Sequence, residues 1–129
     1  MIIGIGTDLA EVPRVADSIA RFGQRFLDRV YTPRERTYAL SKANAAERFA
    51  ARFAAKEAGM KAIGTGWRRG VRWQDFEVVN QASGRPILQL AGVARQIADD
   101  LGVRAVHLSL THTKEMALAV VILEGDPVT

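Results

Sequence analysis

Apolar residues recur along the chain at two spacings. Helical spacing comes first in "EVPRVADSIARFG" (residues 11–23), where Val12, Val15, Ile19 and Phe22 form a stripe with Arg14 and Arg21 off it, and Gly23 is placed to stop the helix. "YTPRERTYAL" carries helix-start chemistry, with Thr32 as N-cap, Pro33 at the first helical position and Glu35 closing a capping box. The longest helical pattern is "ANAAERFAARFAAKEAGMKAIGTG" (43–66), whose buried face draws on Phe49, Phe53, Met60 and Ile63. "ILQLAGVARQIADDLG" (87–102) reads as a further helix that stops at Gly102.

Strand spacing marks the rest. "MIIGIGTD" predicts a short apolar strand over Met1–Ile5 that breaks at Gly6-Thr7-Asp8. "DFEVVNQ" alternates as a strand, and "ASGRP" turns the chain before Pro86. "AVHLSLTHTKEMALAVVILEG" predicts two strands joined around Thr113-Lys114-Glu115, with Leu108, Leu110 and His112 on one face and His107, Ser109 and Thr111 on the other. Residues 124–129 are expected to fray. The pattern predicts one α+β domain over 1–129, with helices packed on one face of a small, mostly antiparallel sheet.

Composition narrows the chemistry. The chain has 129 residues, room for one domain with a real core. It contains no cysteine, which excludes disulfides, thiolate metal sites and cysteine nucleophiles. The opening run has no basic leader and meets Asp8 early, unlike a signal peptide, and no stretch has the length of a membrane span. A soluble cytoplasmic protein is expected. A net charge of +4 favours an anionic partner: nucleic acid, an acidic membrane face, a phosphorylated cofactor or an acidic protein.

Candidate chemistry concentrates in "RFAAKEAGMKAIGTG" (52–66). Glu57 and Lys61 stand at i and i+4, the spacing of an ordinary surface ion pair. They also lie among small residues (Ala54, Ala55, Ala58, Gly59) and further cations (Arg48, Arg52, Lys56), and they precede Gly64-Thr65-Gly66, whose backbone N–H groups suit phosphate oxygens. Such a helix could hold a metal-bound phosphate, the carboxylate on a divalent cation and the ammonium on phosphate. Glu57 would need a partner acid, and Asp8 is the natural candidate, although Asp8 also suits a helix cap. "GIGTDL" lacks the third glycine of a dinucleotide loop. The two histidines point to opposite faces and do not make a metal site together, and no serine stands on a nucleophile elbow. "WRRGVRW" mixes aromatic and basic residues, as single-stranded nucleic-acid sites do and as many solvated loops do.

The combination of "GIGTDLAEVPRV", "RFAAKEAGMKAIGTG" and a late Ser-x-x-His resembles the holo-acyl-carrier-protein synthases, the small single-domain class of 4′-phosphopantetheinyl transferases, over Met1 to about Leu123. Two positions depart from that family's pattern: Ser109-Leu110-Thr111-His112 stands where Ser-x-Ser-His is common, and Met60 stands where smaller residues are common, with the expectation that it reshapes one wall of the cofactor pocket. The resemblance implies transfer of the phosphopantetheine arm of coenzyme A to a serine of apo acyl carrier protein, with release of 3′,5′-ADP. It implies Mg²⁺, or Mn²⁺, on Asp8 and Glu57, and Lys61 on the transferring phosphate. Arg52 and His112 would contact the nucleotide end of coenzyme A, Gly64 and Gly66 would line the pocket by backbone, and Pro86 would lie near the adenine. Arg14 and Arg21 would grip the acidic carrier helix. It further implies a cytoplasmic homotrimer with active sites between subunits, serving fatty acid biosynthesis, without a membrane or nucleic-acid partner. In a neighbouring subunit, His112 or Arg14 would complete the site. The rival readings are a basic nucleic-acid-binding module, using Arg21, Arg25, Arg68, Arg69 and Arg72, and a metal-dependent phosphohydrolase acting through the same two carboxylates.

Overall fold

The computed structural model describes residues 1–66 and 68–128. Trp67, the first residue of the basic aromatic loop, and the terminal Thr129 lie outside them. In chain order the elements are β1 (Ile2–Glu11), α1 (Val12–Phe22), α2 (Gln24–Val30), α3 (Pro33–Leu40), α4 (Ala45–Ile63), a 3₁₀ turn (Trp73–Asp75), β2 (Phe76–Asn80), β3 (Pro86–Leu90), α5 (Gly92–Leu101), β4 (Val103–His112) and β5 (Met116–Gly125). The strands form two antiparallel sheets, one ordered β1-β5-β4 and one pairing β2 with β3.

The core lies between α4 and one face of the three-stranded sheet. Alternation along β5 turns Ala117, Ala119, Val121 and Leu123 inward, all buried. On β4 the inward residues are those directly opposite: Leu123 faces Val106, Val121 faces Leu108, Ala119 faces Leu110 and Ala117 faces His112. The expected split of Leu108, Leu110 and His112 from His107, Ser109 and Thr111 therefore holds. Phe49, Met60 and Ile63 are buried on α4, where Met60 contributes to the core.

Helix α4 meets β1 without side chains between them. A Cβ on Gly6 would stand 1.8 Å from the carbonyl oxygen of Ala58, and one on Gly4 would stand 2.2 Å from that of Ala62. The small residues of α4 thus admit a strand backbone, and at Gly59 the ring of Phe76, where a ligand was one expectation. This contact also explains why β1 does not break at Gly6. Its glycines are there for close approach, and the strand continues through Thr7 and Asp8 to Glu11. Asp8 is consequently a mid-strand residue on the face of Gly6 and Ala10, and it caps no helix. The residue before α1 is Glu11.

On its other side α4 is fixed by a buried ion pair. Lys56 Nζ donates to Glu35 Oε1 at 2.7 Å and to the carbonyl oxygens of Phe76 at 2.6 Å and Trp73 at 3.3 Å. Glu35 also accepts from the N–H of Thr32 at 2.9 Å and from that of Val78 at 2.8 Å. The capping box read from Thr32 and Glu35 is present, and its glutamate doubles as the anchor of α4.

Three elements differ from expectation. Helix α2 was not foreseen. Ile87 to Leu90, expected as the start of a helix, belong to β3, and the helix begins at Gly92. β5 runs through Gly125, so Glu124 and Gly125 are paired strand and not tail.

Gly6→Ala is expected to force β1 off α4 and lower the unfolding free energy by about 3 kcal/mol, the upper range for overpacking a core. Urea denaturation followed by circular dichroism measures this. A loss near zero would mean that the strand and helix have slack the geometry does not show.

Candidate active site

The β1–α4 contact sets two acids side by side. Asp8 lies two residues beyond Gly6 on the same face, and Glu57 adjoins Ala58, the residue Gly6 touches. The two carboxyls stand close enough to affect each other's charge. Burial first, then the neighbouring Asp8 carboxyl, push the Glu57 carboxyl up to about 7, while Lys61 pulls it down. Lys61 does not pair with Glu57 along the helix. Its ammonium donates to Asp8 Oδ1 at 3.1 Å and to the carbonyl oxygen of Thr7 at 3.0 Å. The Asp8 side chain is 10% exposed and that of Lys61 54% exposed.

The acids open into a cleft of about 310 Å³ between β1, α1 and α4. Asp8, Glu11, Glu57 and Arg14 supply its charged groups, and Val15, Phe26 and Phe53 form an apolar wall. Arg14 therefore lines the same cleft as Asp8 within one chain. Arg21, two turns further along α1, is exposed beside Phe22, with its guanidinium 5.6 Å from the ring centre.

The remaining expected residues lie elsewhere. Arg52 is five positions before Glu57, about 140° around the helix. It is buried, donates to Asn80 Oδ1 at 2.6 Å and stacks over Tyr38 at 4.3 Å. Burial, more than any neighbouring charge, lowers its affinity for a proton, and its Nε has no hydrogen-bond partner. Pro86 pairs with Asn80 in the β2–β3 ladder, next to Arg52. His112 stands at the end of β4, two strands across the sheet from β1, and its Nδ1 is 3.1 Å from Glu47 Oε1 on the first turn of α4. Lys56 does not flank the cleft, since it is spent on Glu35. Gly64 takes φ +81 as the helix cap. The N–H groups of Gly64 and Thr65 return to the carbonyls of Lys61 and Met60, so two amides of the Gly-Thr-Gly exit serve the helix and not a phosphate. Gly66, at φ +56, has open space where a side chain would project.

Among the described residues no group of three or more His, Cys, Asp or Glu gathers as a metal site. The donor set at the cleft is two carboxylates, hard oxygen ligands that suit Mg²⁺ or Mn²⁺ with water and substrate oxygens completing the shell.

The raised Glu57 carboxyl has a consequence for pH. Its folded value of about 7 lies above the ordinary 4.5, so the folded state holds this proton more tightly. That stabilisation is complete below about 4.5 and is lost as pH rises through about 7. Without divalent cations, Glu57→Gln is expected to melt close to the unsubstituted protein at pH 4 and at higher temperature at pH 8. Calorimetric scans across this range check it, and parallel curves would refute the raised Glu57 carboxyl.

Comparison with known proteins agrees with this architecture. The family model described as the 4′-phosphopantetheinyl transferase superfamily matches residues 4–121. The holo-[acyl-carrier-protein] synthase of Solibacter usitatus (strain Ellin6076) is 61% identical over 97% of this chain and 100% of its own length. That of Koribacter versatilis (strain Ellin345) is 62% identical over 96% and 99%. Among solved structures, the Neisseria meningitidis holo-[acyl-carrier-protein] synthase superposes with a TM-score of 0.88 at 34% identity, covering 96% of this chain and 99% of that one. The Bacillus anthracis str. Ames holo-(acyl-carrier-protein) synthase, solved in complex with CoA (3′,5′-ADP), gives 0.80 at 38% identity, covering 98% and 99%. These matches extend over the strand β1 and the helices α1 and α4 that build the cleft, and the chain belongs to the 4′-phosphopantetheinyl transferase superfamily.

Proposed function

We propose that this enzyme transfers the 4′-phosphopantetheine arm of coenzyme A to a serine hydroxyl of an apo acyl carrier protein, releasing 3′,5′-ADP. The observation that carries this reading is the meeting of Asp8, Glu57 and Lys61 at one half-buried cleft that also holds Arg14. The serine Oγ forms a bond to the phosphorus that bears pantetheine, and the bridging P–O bond of the pyrophosphate breaks, leaving its electrons on 3′,5′-ADP. The serine proton passes to the Glu57 carboxylate or to water in the cleft. The Lys61 ammonium faces the non-bridging oxygens of the transferring phosphate and stabilises their charge. Such transfers depend on positioning and charge stabilisation more than on covalent help. Asp8 and Glu57 would hold a divalent cation, Mg²⁺ in the first instance, which when bound supplies neutralisation of the pyrophosphate.

The nucleotide end of coenzyme A is assigned to Arg52, Pro86 and His112, with Gly64 and Gly66 lining the path by backbone. The unpartnered Nε of buried Arg52 supports an anion there, as does Arg48, whose like charge bears on Arg52. These residues stand away from Asp8 within one chain. The register alone separates His112 from β1 by two strands, on the order of 10 Å. One coenzyme A would therefore draw on two copies of the chain. The outer face of the three-stranded sheet fits this, because Ile5, Leu9 and Leu118 are exposed there. We assign a homotrimer built on that face. Arg14 and Arg21 on α1 present positive charge to the acidic carrier. No helix among the described residues is long and apolar enough to cross a membrane, and we place the enzyme in the cytoplasm, serving fatty acid biosynthesis.

Intact-mass spectrometry of an apo acyl carrier protein incubated with the enzyme, coenzyme A and Mg²⁺ tests the reaction. A gain of one phosphopantetheine arm is expected, and EDTA should abolish it. Asp8→Ala and Glu57→Ala should each slow transfer by about a hundredfold or more with the fold intact. Near-normal transfer by either variant would overturn the assignment of the acids. Separately, Ile5→Glu is expected to give a folded monomer by light scattering with little activity. A trimer that survives this substitution would place the interface elsewhere.

A further inference from the structure

Lys61 has two demands on it. In the reaction it faces phosphate, yet in the structure its ammonium sits on Asp8 Oδ1 at 3.1 Å and on the Thr7 carbonyl at 3.0 Å. Asp8 is the less exposed partner, so its charge depends most on a neighbouring cation. Lys61 is mostly exposed and carries a flexible four-carbon stem, so it can leave without disturbing the core. Lys56, one turn and one residue earlier, lacks that freedom because it is fully buried on three acceptors.

We propose that Lys61 holds the place of the divalent cation in the resting enzyme, so that cation entry and delivery of the ammonium to the phosphate of coenzyme A are one exchange. This deepens the proposed function and rests on the cation site at Asp8 and Glu57. A cation that approaches Asp8 meets a positive charge already bonded to it. Its entry must break the Lys61–Asp8 pair, and the freed ammonium then lies beside the same cleft, where the phosphate oxygens arrive. The two ligands are coupled through one side chain. By linkage, coenzyme A, which draws Lys61 away from Asp8, also strengthens cation binding, and the coupling is the same in both directions. The resting pair lowers affinity for the bare cation and keeps the acids neutralised until substrate is at hand.

The test is direct binding of Mn²⁺, without coenzyme A or carrier, read by the loss of the free-ion electron paramagnetic resonance signal. Lys61→Ala is expected to bind Mn²⁺ about tenfold more tightly than the unsubstituted enzyme, since both competitor and repulsion are gone. Lys61→Arg, which keeps a cation, should stay close to the unsubstituted value. Adding 3′,5′-ADP plus inorganic phosphate as a probe for the substrate anions should tighten Mn²⁺ binding in the unsubstituted enzyme more than in Lys61→Ala. If the unsubstituted enzyme binds Mn²⁺ and Lys61→Ala binds it equally or more weakly, the exchange is refuted and the cation site stands. If neither binds Mn²⁺, while Glu57→Gln behaves the same, the cation site falls and the exchange falls with it. Circular dichroism melts of each variant confirm that folded protein is compared.

Discussion

Everything at the cleft depends on how closely a strand backbone approaches a helix backbone. Two glycines on β1 lie against two carbonyls of α4, at distances where any side chain would collide. That contact fixes the height of the strand over the helix and the offset along it. Asp8 and Glu57 then fall beside each other as a result of register, without a dedicated loop to present them. Elements of regular structure hold reacting groups more firmly than loops do. The opposite side of α4 is secured by the Glu35–Lys56 pair, in which both charges are saturated with hydrogen bonds. A buried pair of this kind adds little net stability over a good apolar fit, but losing one partner costs about 3–5 kcal/mol. Its contribution is to fix where the helix lies.

The cations of α4 show how position decides chemistry. Lys56, Arg52 and Lys61 are alike in sequence and lie within ten residues. One is consumed by a core carboxylate and two carbonyls. One is stacked on Tyr38 and bonded to Asn80, with one N–H still unspent. One is half-exposed and bonded to Asp8. Burial against β2 and α3, and not the local sequence, sorts them into buried, partly satisfied and solvated cations.

Much of this was legible before any coordinates. Thr32-Pro33-Arg34-Glu35 announced its capping box, and Gly64 and Gly102 announced helix ends, because these signals are local. The pairing of Asp8 with Glu57 followed from chemistry that needs two acids. What failed was whatever depended on a distant partner. Gly4 and Gly6 read as a break because the helix that makes them useful is over fifty residues away. Ile87 to Leu90 read as helix because a short apolar run has no periodicity of its own, and the pairing with β2 decides it. Gln24–Val30 is too short to declare a stripe. Lys56 could not be told from a pocket cation, since nothing local marks Glu35 as buried. The amides of Gly64 and Thr65 looked free because the Schellman bonds that use them appear only when the helix is built.

The acids of the cleft are far apart along the chain, with α1, α2 and α3 between them. Asp8 and the lysine that meets it are 53 residues apart in sequence. A partly folded chain, with its first strand still detached, offers no paired acids and so no seat for a doubly charged ion. Only the docked form could be selected by such an ion, whose binding energy would then be added to the seam between first strand and central helix. Hydrogen exchange at that seam would slow as the site fills, and β1 would become the part of the fold most directly governed by ion supply.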